Sequence, residues 1–298
     1  MTDTTAAQSP PPPVVSDAQP QEVARNVYVI PDGRVPLVPN VGIVVGEREA
    51  LVVDTAMGIA NGRRVLARAR ALTDKPLVLT ITHFHPEHGY GARVFADEGA
   101  RIVYNRSQFE ELSAKGQAYL DMFRTFGGAV AEQLEGVEFV EPDELYDDRK
   151  MLDLGGLDVE LLHFGLAHTR GDQVVFLPEQ RVLFAGDLLE NRIFPIVPWF
   201  PPDDVDVNGS RWIEVLDRLE ELGPEVVVPG HGEVTGPELI GQVRSYLQDV
   251  RSRVQSAPGT VDEVKAALAS AILADYPGWD APEWIGFAVE CFYAELHG

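Results

Sequence analysis

The sequence predicts an α+β fold in which two packed sheets are covered on their outer sides by helices, a four-layer αβ/βα sandwich. Three observations lead there. Short apolar or alternating segments gather in two stretches, each followed by amphipathic segments of helical period. Several apolar segments end on a lone Asp or His, as strands do where their loops collect side chains into a shared cleft. The 298 residues suffice for one sizeable domain with extensions.

The elements follow in order. Residues 26–30 alternate, 41–45 are almost continuously apolar, and 50–53 form a buried run closed by Asp54, with Pro-Asp-Gly and Gly-Glu-Arg-Glu pieces as turns. Residues 61–72 read as an amphipathic helix with Val65, Leu66, Ala69 and Leu72 on one face. A strand at 77–82 leads into a histidine cluster, followed by a short helix at 91–98 and a strand at 101–104. Residues 107–135 look helical, interrupted at Gly127-Gly128; this excursion forms either a cleft wall or ordinary outer packing. Strands resume at 137–140, 151–154, 159–164, 173–176 and 182–185, then a helix at 211–222 and a strand at 225–228. From 236 the chain reads as helical over 237–256, 261–275 and 283–296.

The expected organisation is therefore a Pro-rich disordered tail over 1–20, a main domain over 21–235 and a helical extension over 236–298 packed near the cleft mouth. In the extension Trp279, Trp284, Phe287, Phe292 and Tyr293 are expected to fill a helical core, with substrate contact as the alternative. Lys and Arg number 24 against 47 Asp and Glu, a net charge of −23 that weighs against nucleic acid and anionic membrane surfaces as partners. No apolar run approaches a membrane span, and the first residues lack a basic region and an apolar signal core. With Cys291 as the single cysteine, no internal disulfide forms, and a cytoplasmic location is expected.

The chemistry is concentrated in His83-Phe84-His85-Pro86-Glu87-His88. His83 and His85, two apart at the end of an extended segment, point to one side, and the turn at Pro86 brings Glu87 and His88 back towards them. Imidazole nitrogen and carboxylate oxygen suit borderline ions such as zinc. The plain alternative is a histidine-rich surface loop. Further polar residues end apolar runs downstream: His168 in Gly165–Asp172, Asp187 after 182–186, and His231 after 226–230.

Taken together these residues resemble the metallo-β-lactamase-fold hydrolases, whose pattern is a strand-end Asp, an HxHxDH cluster, a G-x-A-H-T-x-G-D stretch, a bridging Asp and a final G-H. The resemblance runs over 23–232 and meets all five motifs, with one departure: Glu87 stands where the family has Asp. It implies a metallo-β-lactamase-like sandwich with a first metal site of His83, His85 and His168. The second would be Glu87, His88 and His231, with Asp187 bridging two divalent ions, zinc foremost and iron or manganese as alternatives. Such a centre would turn a bound water into hydroxide at neutral pH for attack on a small ester, thioester, lactone or amide/β-lactam bond. An iron-dependent oxidoreductase resembling a persulfide dioxygenase is the alternative within the same fold, and a closed structural metal site a third reading.

Other residues carry open roles. Asp54 is expected to orient a ligand imidazole or hold a loop. Thr169 and Asp172 support His168 or stabilise their own turn. Tyr90 donates to an oxyanion or packs between loops. Arg170 meets a substrate carboxylate or makes a surface ion pair. His163 and His297 are read as packed and solvated. The stretch 192–202, with Phe194, Trp199, Phe200 and several prolines, makes an apolar rim suited to a small substrate with an apolar portion, or a contact between copies of the chain. Glu87 binds the second metal, weakens that site, or acts as a general base; its extra methylene moves the carboxylate by about 1.5 Å. The second site is accordingly expected to bind its ion more weakly than the first. Metal titration by calorimetry checks this, and two equivalent tight sites would refute it.

Overall fold

The structure is a computed structural model and describes residues 11–298. Its first sheet has seven strands in spatial order: β1 (Gln21–Ala24), β2 (Val27–Ile30), β3 (Val41–Val45), β4 (Ala50–Val53), β5 (Leu77–Thr80), β6 (Arg101–Asn105) and β7 (Glu144–Tyr146). Pairing is antiparallel from β1 to β4 and parallel from β4 to β7. The parallel connections carry α1 (Gly58–Leu72), α2 (Pro86–Gly89), α3 (Ala92–Asp97), α4 (Arg106–Arg124) and α5 (Gly128–Gln133). The second sheet holds β8 (Arg149–Asp153), β9 (Asp158–His163), β10 (Gln173–Leu177), β11 (Val182–Glu190) and β12 (Val226–His231). Only β11 and β12 pair in parallel there, joined through α6 (Gly209–Glu221). Then come α7 (Glu238–Ser256), α8 (Val261–Asp275) and α9 (Trp284–His297).

Side-chain alternation builds the four layers. In β4, Leu51 and Val53 enter the cluster between the sheets while Ala50 and Val52 face the helices. In β11, Val182 and Phe184 point between the sheets, and Leu183 and Ala185 outward. The middle cluster joins Val29, Val44 and Val78 of the first sheet to Leu161, Val175 and Val228 of the second. Outside, Val65, Phe95 and Leu120 cover the first sheet. Trp212, Leu216, Tyr246, Leu247 and Phe292 cover the second, so the last three helices share its core. No helix among the described residues is long and apolar enough to cross a membrane.

Three expectations need correction. Residues 137–140 are not a strand: Val140 buries itself under the helices and Phe139 packs on Tyr90, while β7 takes the sheet edge beside β6. Residues 1–10 of the expected tail lie outside the described residues, but 13–17 have fixed partners. Val15 is buried, its N–H donates to Asn61 Oδ1 at 2.9 Å, Asn61 Nδ2 donates to Pro13 O at 2.8 Å, and Asp17 pairs with Arg64. One well-placed valine and a proline-stiffened backbone offset the ordering cost that composition alone made prohibitive. Finally, β11 does not stop before Asp187; it continues to Glu190 through a register irregularity at Gly186.

The two sheets pack closely at Gly42 of β3, where a Cβ would lie 2.5 Å from the Phe184 ring. Gly42→Ala is expected to lower unfolding free energy by about 1–3 kcal/mol through overpacking. Denaturant titration measures this, and adding Phe184→Leu should return part of the loss.

Candidate metal centre

The strand ends of both sheets meet at one point. Asp54 directly follows β4 with φ of 69°, a left-handed conformation uncommon for a non-glycine residue. That turn aims its carboxylate at the loop after β5: Thr82 N–H donates to Oδ1 at 2.6 Å, Thr82 Oγ1 donates to Oδ2 at 3.0 Å, and His88 Nδ1 lies 2.9 Å from Oδ2. Pro86 opens the short helix α2, which turns Glu87 and His88 back over His83 and His85. From the second sheet come His168, Asp187 and His231. Gly186 lets that sheet reach Thr82, since a Cβ there would sit 2.6 Å from Thr82 Cβ.

Two donor groups result, His83 with His85 and His168, and Glu87 with His88, Asp187 and His231; within each, one ligand atom per residue lies within 4.8 Å of the others. In the first, His85 Nδ1 is 3.0 Å from His83 Nε2 and 3.2 Å from His168 Nε2. Tetrahedral donors about 2.0–2.1 Å from zinc stand about 3.3–3.4 Å apart, so this spacing fits one small cation. Asp187 lies between the groups. Its Oδ2 is 3.9 Å from His83 Nε2 and 4.0 Å from His168 Nε2, and its Oδ1 is 3.2 Å from His88 Nε2 and 3.7 Å from His231 Nε2.

The outward ring nitrogens of His88, His168 and His231 each have a partner that fixes the tautomer, whereas the outward Nε2 of His85 is buried without one. His168 Nδ1 donates to Ile196 O at 2.8 Å and His231 Nδ1 to Val38 O at 3.0 Å. The inward atoms do not: His88 Nε2, His231 Nε2, Glu87 Oε2 and both Asp187 oxygens are buried without a hydrogen-bond partner. Leaving such groups unsatisfied costs about 1–3 kcal/mol each, more for charged ones. A cation between them removes that penalty, so the donor set fits two divalent ions.

Charge distribution agrees. Burial, reinforced by neighbouring imidazoles, holds His83 and His85 well below the usual histidine range, and burial brings His168 down to about 4, so all three offer neutral nitrogen at pH 7. Burial also opposes charge on His88, but Asp187 and Asp54 on its two sides outweigh it and hold its pKa well above the usual range. Burial likewise works against ionised Asp187, and His88 and His231 overcome it. Glu87 is pushed up by burial.

Tyr90 does not belong to the chemistry: its hydroxyl donates to Gly116 O at 2.8 Å and its ring packs on Phe139. Its proximity in sequence to His88 suggested otherwise, but α2 turns its ring into the first sheet's helix layer. Asp172 accepts from Thr169 N and Oγ1 at 2.9 and 2.6 Å and so holds the His168 turn, while His163 Nδ1 donates to Asp172 O at 2.7 Å. Arg170 points to solvent, 3.8 Å from Asp206.

Sequence reasoning missed four contributors. Thr82 joins Asp54 to His83 and His88. Glu190, fully buried, accepts from Ile196 N at 3.1 Å and thus holds the peptide whose carbonyl orients His168; an acid closing an otherwise apolar run was its available signal. Tyr119 of α4 stacks on His85 at 5.0 Å and donates to Asp204 Oδ2 at 2.7 Å. Arg34 bridges Glu233 and Asp280.

A cleft of about 710 Å³ opens over the centre, with His85, Glu87 and His231 in its lining. Met122, Phe123 and Phe126 make one wall, which settles the helical excursion as a cleft wall as well as a packing layer. Of the rim expected of 192–202, Phe200 lines the cleft together with Ile193, Ile196 and Pro198, but Phe194 is buried in the second sheet's outer core and Trp199 packs against that core. Trp284 and Phe287 come from α9, whereas Trp279 packs on Phe194 and Tyr246.

The family model described as the metallo-beta-lactamase superfamily matches residues 34–231. Linear primary-alkylsulfatase of Pseudomonas sp. is 25% identical over 232 residues, 67% of this chain and 42% of that protein. Metallo-beta-lactamase type 2 of Bacteroides fragilis is 26% identical over 214 residues, 71% of this chain and 76% of that protein. The alpha subunit of 2,4-dinitroanisole O-demethylase from Nocardioides sp. is 26% identical over 216 residues, 71% of this chain and 56% of that protein. The matched region thus spans less than half of the alkylsulfatase and just over half of the demethylase subunit. Among solved structures, a metallo-beta-lactamase family protein from Thermus thermophilus has a TM-score of 0.69 at 21% identity, covering 92% of this chain and 94% of that one. A sec-alkylsulfatase from Pseudomonas sp. has 0.70 at 18% identity, covering 94% and 50%. These two likenesses concern the fold.

Gly230 tests the Asp187 carboxylate without replacing it, because a Cβ there would lie 1.9 Å from Asp187 Oδ1. Gly230→Ala is expected to weaken metal binding by at least about tenfold, the scale on which displaced supports of metal ligands act. Competition against a chromogenic chelator reads the affinity, and circular dichroism should stay unchanged.

Proposed function

The chain belongs to the metallo-beta-lactamase superfamily, and on that footing we propose that it is a binuclear metal-dependent hydrolase of a small ester, thioester, lactone or amide bond. His83, His85 and His168 would hold one divalent ion and Glu87, His88 and His231 the other, with Asp187 placed between the two groups. Three neutral imidazoles favour zinc, with iron or manganese also compatible with the second, carboxylate-rich set. Bound there, the ions supply an acidified water and a Lewis acid for a substrate carbonyl oxygen.

The chain's own groups prepare that chemistry. Asp54 keeps a proton on His88 Nδ1, and the Ile196 and Val38 carbonyls do the same for His168 and His231, which leaves each Nε2 as the atom that would face a bound ion. Glu87 lines the cleft as well as the second donor set, and receives the proton that a water gives up on attacking the substrate. Residues 236–298 act as an extension that completes the cleft through Trp284 and Phe287. A buried, unpaired Cys291 suits a cytoplasmic location.

The observation that carries this reading is the pair of buried donor groups on either side of Asp187, in the second of which Glu87, His88, His231 and Asp187 itself hold inward atoms with no hydrogen-bond partner. It also favours two ions over the one-iron alternative, which would leave Glu87, His88 and His231 without a purpose. The relatives' names refer to an alkylsulfatase, a β-lactamase and an O-demethylase, so the substrate must be read from this chain's own cleft.

Metal analysis coupled to a panel of chromogenic ester, thioester, lactone and β-lactam substrates tests the proposal. His83→Ala and Asp187→Ala should each lose metal and fall to background turnover while keeping their circular dichroism. Glu87→Asp, which moves towards the family pattern, should remain active. Full turnover by either metal-free variant, or undiminished turnover after exhaustive chelation, contradicts the proposal; iron with visible colour would favour the oxidoreductase.

A further inference from the structure

Positive charge is scarce among the described residues that line the cleft, and what there is has already been taken. Arg34 is the one cation among the lining residues described. Glu233 grips it with both oxygens, at 2.7 and 2.6 Å, Asp280 takes a third donor at 2.7 Å, and Asn191 O a further contact at 3.1 Å. Lys115, beneath Phe84, meets Glu111, Asp204 and Asp206 at 3.2, 2.8 and 2.8 Å. Arg170 faces solvent with Asp206 nearby. The other charged lining residues, Asp32, Glu87, Asp280 and Glu283, are all acids. Between them the walls are aliphatic and aromatic, with Leu37, Phe123, Phe126, Phe200, Trp284 and Phe287 prominent.

Resting on the hydrolase reading, we propose that this cleft selects substrates whose portion remote from the scissile bond is uncharged and apolar, an acyl or aryl ester class, and rejects those carrying a second, anionic group. A carboxylate moved from water into such walls loses hydration and finds no unengaged cation among the described lining residues. The acids at the rim and the chain's net charge of −23 repel it further. Arg34 decides the matter: released from Glu233 and Asp280 it would be a ready carboxylate clamp, and held by them it ties the 31–40 loop to the turn after β12 and to the segment leading into α9. β-Lactams that bear a free carboxylate fall on the rejected side.

A matched pair of substrates tests this on the full, metal-loaded chain. 4-Nitrophenyl octanoate and the 4-nitrophenyl monoester of octanedioic acid differ only by a carboxylate at the far end of the acyl chain. The charged ester should show kcat/KM on the order of 100-fold lower, and equal or faster turnover of it overturns the proposal. If neither ester is hydrolysed, the hydrolase reading suffers while the charge preference is still measured, by calorimetric titration of octanamide against the monoamide of octanedioic acid. There too the neutral member should bind more tightly, and equal or tighter binding of the acid overturns the inference. In Glu233→Gln combined with Asp280→Asn, Arg34 is freed and the gap should narrow by at least about tenfold; a gap that does not change contradicts the role given to Arg34.

Discussion

Asp187 is the charge on which the rest depends. It is a fully buried carboxylate with no hydrogen-bond partner for either oxygen, and four imidazoles present nitrogens to it at 3.2 to 4.0 Å. Neither desolvation nor mutual repulsion among such groups is tolerable without compensation. Cations held by the two donor groups would satisfy the unpartnered inward atoms of Glu87, His88, His231 and Asp187 together. The same demand explains why the loops around it are so heavily tied: a carboxylate, a threonine and three backbone carbonyls or peptides serve to hold ligand rings in place.

The fold supplies that convergence through close backbone approach. Gly186 admits Thr82 from the opposite sheet, Gly230 leaves space for Asp187, and Gly42 lets the sheets touch at Phe184. Asp54 accepts an unfavourable φ to turn its carboxylate inward. Local strain at Asp54 and tight packing at the glycines thus sit where the two sheets' strand ends must meet, which is where a functional site repays them. The outer helix layers do not take part in this; they seal the apolar faces and, through α4 and α9, shape the cleft above.

Much of this was legible in the chain itself. Period-two and period-3.6 patterns located most strands and helices, and the hexapeptide His83–His88 with Asp54, His168, Asp187 and His231 named the residues that converge, because metal ligands must be particular residue types at strand ends. What escaped had no such type constraint. A segment such as 137–140 looks like a strand, but only its competition with β7 for the sheet edge decides the matter. Tyr90 and Tyr119 are alike as letters; the direction each helix faces gives one a packing contact and the other a stack on His85. Carbonyl partners such as those of Ile196 and Val38 leave no trace in sequence, and Arg34 looked like any loop arginine until its two acids from distant segments were in view.

Above the two donor groups the cleft has aliphatic and aromatic walls whose charged residues, Arg34 apart, are acids. Its floor is the part on which every functional statement rests, and anomalous diffraction from crystals grown with zinc addresses it directly. Two peaks about 3.5–4 Å apart, one on either side of the Asp187 carboxylate and each in contact with its own set of imidazoles, are the predicted result. A single peak, or none, at this position in a fully loaded crystal would contradict it.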